Sequence, residues 1–216
     1  MTDIKSLFAL AEADNAAGLQ SAMKGAPPTP RLRNESGESL YLFCVFRGRM
    51  KCAEVLKARG DFGLHEAALA GDTARVEMLV KSAPSMIDML SPDGWTALHM
   101  AAFPGNDAAV VKLLDLDADA TVTSRAFEQN MAMHAAAAGR RIGKAAYARL
   151  IAATGVDALQ KQGYTALMIA ASNGFADGID ALLAAGANRA LKTPDGKTAA
   201  DIATERGHMD LAKRLG

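Results

Sequence analysis

Four histidines and two cysteines are the side chains best suited to chemistry in this 216-residue chain. His65, His99 and His134 recur at steps of 34 and 35 residues, and His208 follows later. An imidazole serves as a general base or a metal ligand, and a thiolate as nucleophile or ligand. The spacing argues against both uses. If each period is one layer of packed helices, successive imidazoles lie roughly 10 Å apart, whereas zinc ligands converge to about 2 Å from one ion. Cys44 and Cys52 form no Cys-x-x-Cys pair and are too few for a disulfide framework. Each falls in an apolar helical pattern and reads as a buried free thiol. Gly60-Asp61-Phe62-Gly63 lacks the Lys and Ser/Thr of a phosphate loop, and no dinucleotide-type glycine motif occurs. Arg59-Gly60-Asp61 and the sequon Asn34-Glu35-Ser36 read as chance matches. No catalytic residue, metal site or cofactor is expected.

The elements that carry the histidines repeat with them. Ser91 to Asn106 reads SPDGWTALHMAAFPGN. It holds a turn at Pro92-Asp93-Gly94, a Thr able to cap a helix, and a small-residue helix that stops at a glycine. Gly163-Tyr164-Thr165-Ala166-Leu167-Met168 repeats the block, and Gly196-Lys197-Thr198-Ala199-Ala200-Asp201 repeats it again 33 residues later. Helix-ending glycines fall at 71, 105, 139, 174 and 207, in steps of 34, 34, 35 and 33. A Val/Leu-rich second helix follows each one.

This pattern resembles the ankyrin repeat, whose signature is a turn glycine, Thr-Pro-Leu-His, two alanines, a glycine and an apolar second helix. Here Ala97, Ala166 and Ala199 replace the signature proline, a mild change because Ala also starts helices well. The resemblance implies an all-α solenoid of roughly six stacked helix-turn-helix units with short β-hairpin-like connections. It also implies that His65, His99 and His134 tie neighbouring turns by hydrogen bonds to backbone. Gly94, Gly105, Gly163, Gly174 and Gly196 take structural roles in the turns and helix ends.

In order, the chain reads as a single domain over 1–216. Residues 3–24 form a degenerate N-terminal capping unit. Repeats follow at 34–60, 61–92, 93–125, 126–160 and 162–193, and a C-terminal capping repeat at 195–216. The three prolines of residues 25–33 predict an extended segment. Only 23 residues separate Gly48 from Gly71, so the hairpin between those units is expected to shrink to a tight turn at residues 60–63. The register is least regular between Asp115 and Arg141, where the turn signature is missing before Met131.

Lys plus Arg equals Asp plus Glu at 24 each, which argues against a nucleic-acid binder. No secretory signal and no membrane-spanning apolar run is present, so a cytoplasmic protein with no membrane contact is expected. The Ala-rich chain looks bacterial.

The family implies a protein-protein interaction scaffold without catalysis, a monomer that binds an unidentified protein partner on its concave face. The residues that the resemblance places there are Trp95, Tyr164 and Lys197 after turn glycines, and Phe46, Arg47, Phe103 and Asn173 before helix-ending ones. Trp95 and Tyr164 read equally as partner anchors or as packing for a neighbouring turn. Arg140, Arg141 and Lys144 form a small basic cluster. Two alternatives stand beside the scaffold: a small-ligand binder or enzyme using the irregular region 125–144, and a translocated effector acting on a host protein. Within a stacked array, Leu98→Ala is expected to cost about 2–5 kcal/mol. Hydrogen exchange should show the adjacent units loosening first, and uniform loss of protection would contradict the array.

Overall fold

A computed structural model describes residues 3–125 and 128–216. Its helices begin where the sequence supplies a cap. Thr96, Thr165, Thr198 and Ser39 each accept the backbone N–H three residues on, at 3.2–3.3 Å, which satisfies a donor that the first helical turn leaves free. The described residues contain fourteen α-helices in seven pairs: α1 (Ile4–Glu12) with α2 (Ala16–Ala22), α3 (Leu40–Phe46) with α4 (Met50–Lys57), and α5 (Leu64–Ala70) with α6 (Thr73–Ser82). Next come α7 (Ala97–Ala102) with α8 (Asp107–Asp115), α9 (Ala132–Gly139) with α10 (Lys144–Thr154), α11 (Ala166–Asn173) with α12 (Ala176–Ala184), and α13 (Ala199–Glu205) with α14 (Met209–Leu215). That is one pair more than the roughly six expected.

No strand occurs among the described residues. The connections are hairpin-like turns closed by single backbone bonds, such as Ser91 N–H to the Trp95 carbonyl at 2.8 Å and Thr193 N–H to the Lys197 carbonyl at 2.9 Å. Gly94 holds φ +82° in one of them. A Cβ there would also press on Arg125.

Two rows of helices run through the stack. The first helices α5, α7, α9, α11 and α13 pack in sequence, and behind them lie α6, α8, α10 and α12. The seams are filled by small residues: Ala67, Ala68, Ala101, Ala102, Ala136, Ala137, Ala170 and Ala171 are all fully buried. Alanine pairs at this spacing let helix axes approach closely, with Leu64, Leu98, Met133 and Leu167 as the larger plugs.

The fourth full unit departs from the expected register by one residue. Gly139 belongs to α9, and the left-handed residue that ends the helix is Arg140, at φ +59°. Gly139 serves a different need: a Cβ on it would collide with the carbonyl oxygen of Phe103. The left-handed positions therefore fall at 71, 105, 140, 174 and 207. Glycine answers close approach alone at 139, whereas at 71, 105, 174 and 207 it holds the left-handed backbone.

The N-terminal end is assembled differently. Residues 58–63 join α4 to α5, against residues 83–96 between α6 and α7. Phe62 stands three residues before His65, as Thr96 stands three before His99. Its ring is buried at 4.4 Å from Tyr41, so a side-chain cap is replaced by a core contact. With that hairpin missing, the neighbouring tips meet across the gap, Gly37 lying against Pro92.

Arg33 fills the space between them. Its guanidinium donates to the carbonyls of Pro30 (3.0 Å) and Gly37 (2.9 Å) and to Glu66 Oε1 (3.0 Å), with Asp93 Oδ2 at 3.4 Å. Glu66 is buried at 2% exposure and depends on this pairing. The proline segment is not fully extended as expected: Thr29–Arg31 makes a 3-10 turn, because Pro30 sits at a first-turn position where its fixed φ suits a helix. Arg59 donates to the Pro27 carbonyl at 3.1 Å, and the Thr29 hydroxyl donates to Asp61 at 2.6 Å. Between α3 and α5 the helix contact is slight, and α4 makes no extended contact with α6.

The three signature histidines hang each unit on the next connection. His65 Nε2 meets the Met89 carbonyl at 2.8 Å, His99 Nε2 the Asn130 carbonyl at 2.7 Å, and His134 Nε2 the Ala158 carbonyl at 3.0 Å. Nε2 must carry the proton in each pair. Nδ1 is then free to accept from the Thr96 hydroxyl (2.7 Å) and from Met131 N–H (3.3 Å) in the second and third. Burial lowers the basicity of all three rings, that of His99 to a pKa of about 4. Met168 takes this position in the next unit, and a thioether has no proton to donate onward.

Two outcomes follow for stability. Arg33→Met leaves Glu66 buried and unpaired, and is expected to destabilise the array by about 3–5 kcal/mol. Adding Glu66→Gln should recover part of that. A urea-denaturation loss under about 1 kcal/mol for Arg33→Met would contradict the pairing. The folded pKa of His99 lies below its unfolded value near 6.5, so the unfolded chain binds more protons between about pH 6.5 and 4. Stability should therefore fall on acidification through that window, on the order of 3 kcal/mol from His99 alone. His99→Gln should flatten the dependence, and an equal slope in both proteins would rule it out.

Candidate partner-binding interface

The cut hairpin has a consequence for the ends of the first helices. Phe46, at the end of α3, reaches past α5 to the two aromatics that flank α7. Its ring lies 5.6 Å from Phe103, nearly perpendicular, and 6.4 Å from Trp95. Trp95 and Phe103 stand edge to face at 5.7 Å, and Trp95 also meets the His99 ring at 5.7 Å. These are favourable aromatic geometries. The cluster is internally packed but open: Phe46 is 42% exposed, and Trp95 and Phe103 are half-buried. Trp95 thus both packs on its neighbours and presents an edge outward.

Below the aromatics lies a cleft of about 660 Å³, within the size range of binding pockets. Phe46, Met50, Phe103 and Pro104 line one part, and Arg140 and Arg141 another. Met50 is 51% exposed; as a lone methionine opening α4, it carried no signal in the repeat pattern. A smaller cleft of about 300 Å³ sits on the other side of Trp95, with Leu42, Met100, Glu38 and Asp93 on its walls. A third groove, of about 1020 Å³, lies apart between α1 and α3, around Ile4, Phe8 and Phe43.

The remaining expected face residues are not gathered here. Arg47 is exposed and its guanidinium lies 4.4 Å over the Phe43 ring, a cation–π contact. Asn173 donates its amide to the Ile169 carbonyl, and its own carbonyl accepts from Arg140 at 2.9 Å. Lys197 is engaged with Glu205 at 2.8 Å and Asp195 at 3.4 Å, and the Glu205 hydrogen bond raises its pKa. Tyr164 is half-buried in the next turn but one from Trp95, where its carbonyl accepts from Gln160 N–H at 3.0 Å. Gly105, Gly163, Gly174 and Gly196 all hold positive φ, between +69° and +85°.

The two thiols are inward. Cys44 and Cys52 are fully buried, and burial pushes their thiols up to about 12 and about 11, far from the thiolate needed for attack. Among the described residues, no three His, Cys, Asp or Glu side chains are placed to share a metal ion. No helix among them is long and apolar enough to cross a membrane.

The family profile described as ankyrin repeats (3 copies) matches residues 11–124, 105–193 and 132–216. Ankyrin repeats generally mediate protein-protein interactions, and the family is typically non-enzymatic. Among curated relatives, a transient receptor potential cation channel subfamily A member 1 homolog of Caenorhabditis elegans is 31% identical over 153 residues, 71% of this chain. That match spans only 12% of the channel homologue. The Notch-regulated ankyrin repeat-containing protein of Homo sapiens is 32% identical over 95 residues, 41% of this chain and 82% of that protein. These relatives are eukaryotic, and nothing in them supports the bacterial origin read from the alanine content. With its repeats matched from residue 11 to residue 216, and its helix pairs stacked as those repeats require, the chain belongs to the ankyrin-repeat family.

Proposed function

We infer that this chain is a protein-binding scaffold that holds a protein partner on its concave face and catalyses nothing itself. In this reading it works in the cytoplasm as a monomer, without nucleic acid or membrane contact. The observation that carries it is the convergence of Phe46 from one unit with Trp95 and Phe103 from another into one partly exposed aromatic cluster. Rigid aromatics bury much area at little entropy cost, and such residues dominate binding energy at protein interfaces. The names of the relatives describe a cation channel and a Notch-regulated protein. Only the array is shared with them, so only the binding role is carried over. Against a catalytic pocket at 125–144, the one histidine there, His134, is buried and bonded to the Ala158 carbonyl.

Affinity capture from a lysate, followed by titration of the captured protein, tests this. The double variant Phe46→Ala, Trp95→Ala is expected to weaken binding at least about 30-fold, the loss of a hot spot of about 2 kcal/mol. Its circular dichroism should stay native. Undiminished affinity in a folded variant would remove the cluster from the interface.

A further inference from the structure

We propose that the concave cleft takes an acidic segment of a partner protein, with an apolar side chain seated on the Phe46–Phe103 shelf and carboxylates facing Arg140 and Arg141. This rests on the concave-face reading above and adds the chemistry of the occupant. The chain as a whole is neutral, so a local surplus of one charge is informative. Arg140 and Arg141 line the cleft, and no carboxylate lines it with them. Among the described residues neither guanidinium makes a salt bridge. Arg140 donates to a backbone carbonyl. Three carboxylates on adjoining elements are engaged: Asp177 pairs with Lys144 at 3.5 Å, Glu12 with Arg49 at 3.1 Å, and Asp107 accepts from Gly143 N–H at 2.9 Å.

The arginines are also held in place. The chain adopts a left-handed conformation at Arg140, where glycine is the usual residue, and the Asn173 carbonyl fixes its guanidinium. At residue 141 the backbone passes so near Gly105 that a Cβ on that glycine would collide with the Arg141 carbonyl. A planar guanidinium held as that of Arg140 is favours bidentate pairing with carboxylates. The opposite wall is apolar, with Met50 and Phe46 both exposed. A ligand that matches both walls alternates acidic and large apolar side chains. The cleft runs from the end of α3, past Phe103 and Pro104, to the end of α9.

The test is selection from a random peptide display library on the full chain, followed by calorimetric titration of the selected peptides. Selected sequences are expected to be rich in Asp and Glu interleaved with Leu, Phe or Trp. Their affinity should fall at least about tenfold in Arg140→Asn, Arg141→Glu and drop as salt rises; Asn is chosen because it tolerates the left-handed backbone. Neutral or basic winners, acidic winners that bind the charge variant equally, or no enrichment at all would each overturn the proposal. So would binding of heparin or poly(U) that is lost in the charge variant while no peptide is enriched, which would point to a polyanion site. The two readings separate cleanly. Loss of peptide binding in Phe46→Ala, Trp95→Ala but not in the charge variant leaves the concave face standing and removes the acidic occupant. Loss in neither removes the concave face as well.

Discussion

No helix pair in this chain can bury its own apolar face. Each helix is six to eleven residues long, too short to persist alone in water. Each pair therefore depends on its neighbours, and the structure is a sequence of interfaces rather than one core. The buried alanine pairs set the distance between layers, and the imidazole-to-carbonyl bonds set their register. Because each ring must be neutral with its proton on Nε2, a single protonation pattern runs through three successive seams.

The same dependence explains the N-terminal end. Shortening the link between α4 and α5 removes one hairpin from the row, and the row then has to close over the gap. Arg33 does so with contacts to two carbonyls and two carboxylates, and Phe62 fills the space of the missing cap. One short connection thus accounts for the buried Arg33–Glu66 pair, the meeting of Gly37 with Pro92, and the reach of Phe46 to Trp95 and Phe103.

Much of the fold was legible in the sequence because its signals are local. Thr96, Thr165 and Thr198 announce helix starts, Gly71, Gly105 and Gly174 announce helix ends, and their period is that of one layer. What escaped depends on contacts between distant residues. Gly139 looks like a helix-ending glycine by type, yet its place is set by the Phe103 carbonyl 36 positions earlier in the chain. Arg33 and Glu66 carry no pattern that marks them as partners. Of the expected face residues, Phe46, Trp95 and Phe103 come together, whereas Asn173 and Lys197 are engaged within the array. The sequence period says which side a residue faces but not whether a neighbouring carbonyl or carboxylate has already claimed it. The basic pair Arg140 and Arg141 was visible as charge, but not as one wall of a cleft.

The slight contact between α3 and α5 divides the array into two blocks, residues 3–57 and 64–215, joined through Arg33, the aromatic bridge, and the contacts that residues 59–62 make with Pro27, Thr29 and Tyr41. Phe46 belongs to the first block, Trp95 and Phe103 to the second. A partner seated across that bridge acts as a splint. It grips both blocks at once, so its binding free energy adds to the resistance of the weakest joint. Occupancy of the face and integrity of the N-terminal block are then one linked equilibrium. Anything that loosens the joint weakens the partner's hold, and the partner in turn holds the joint closed.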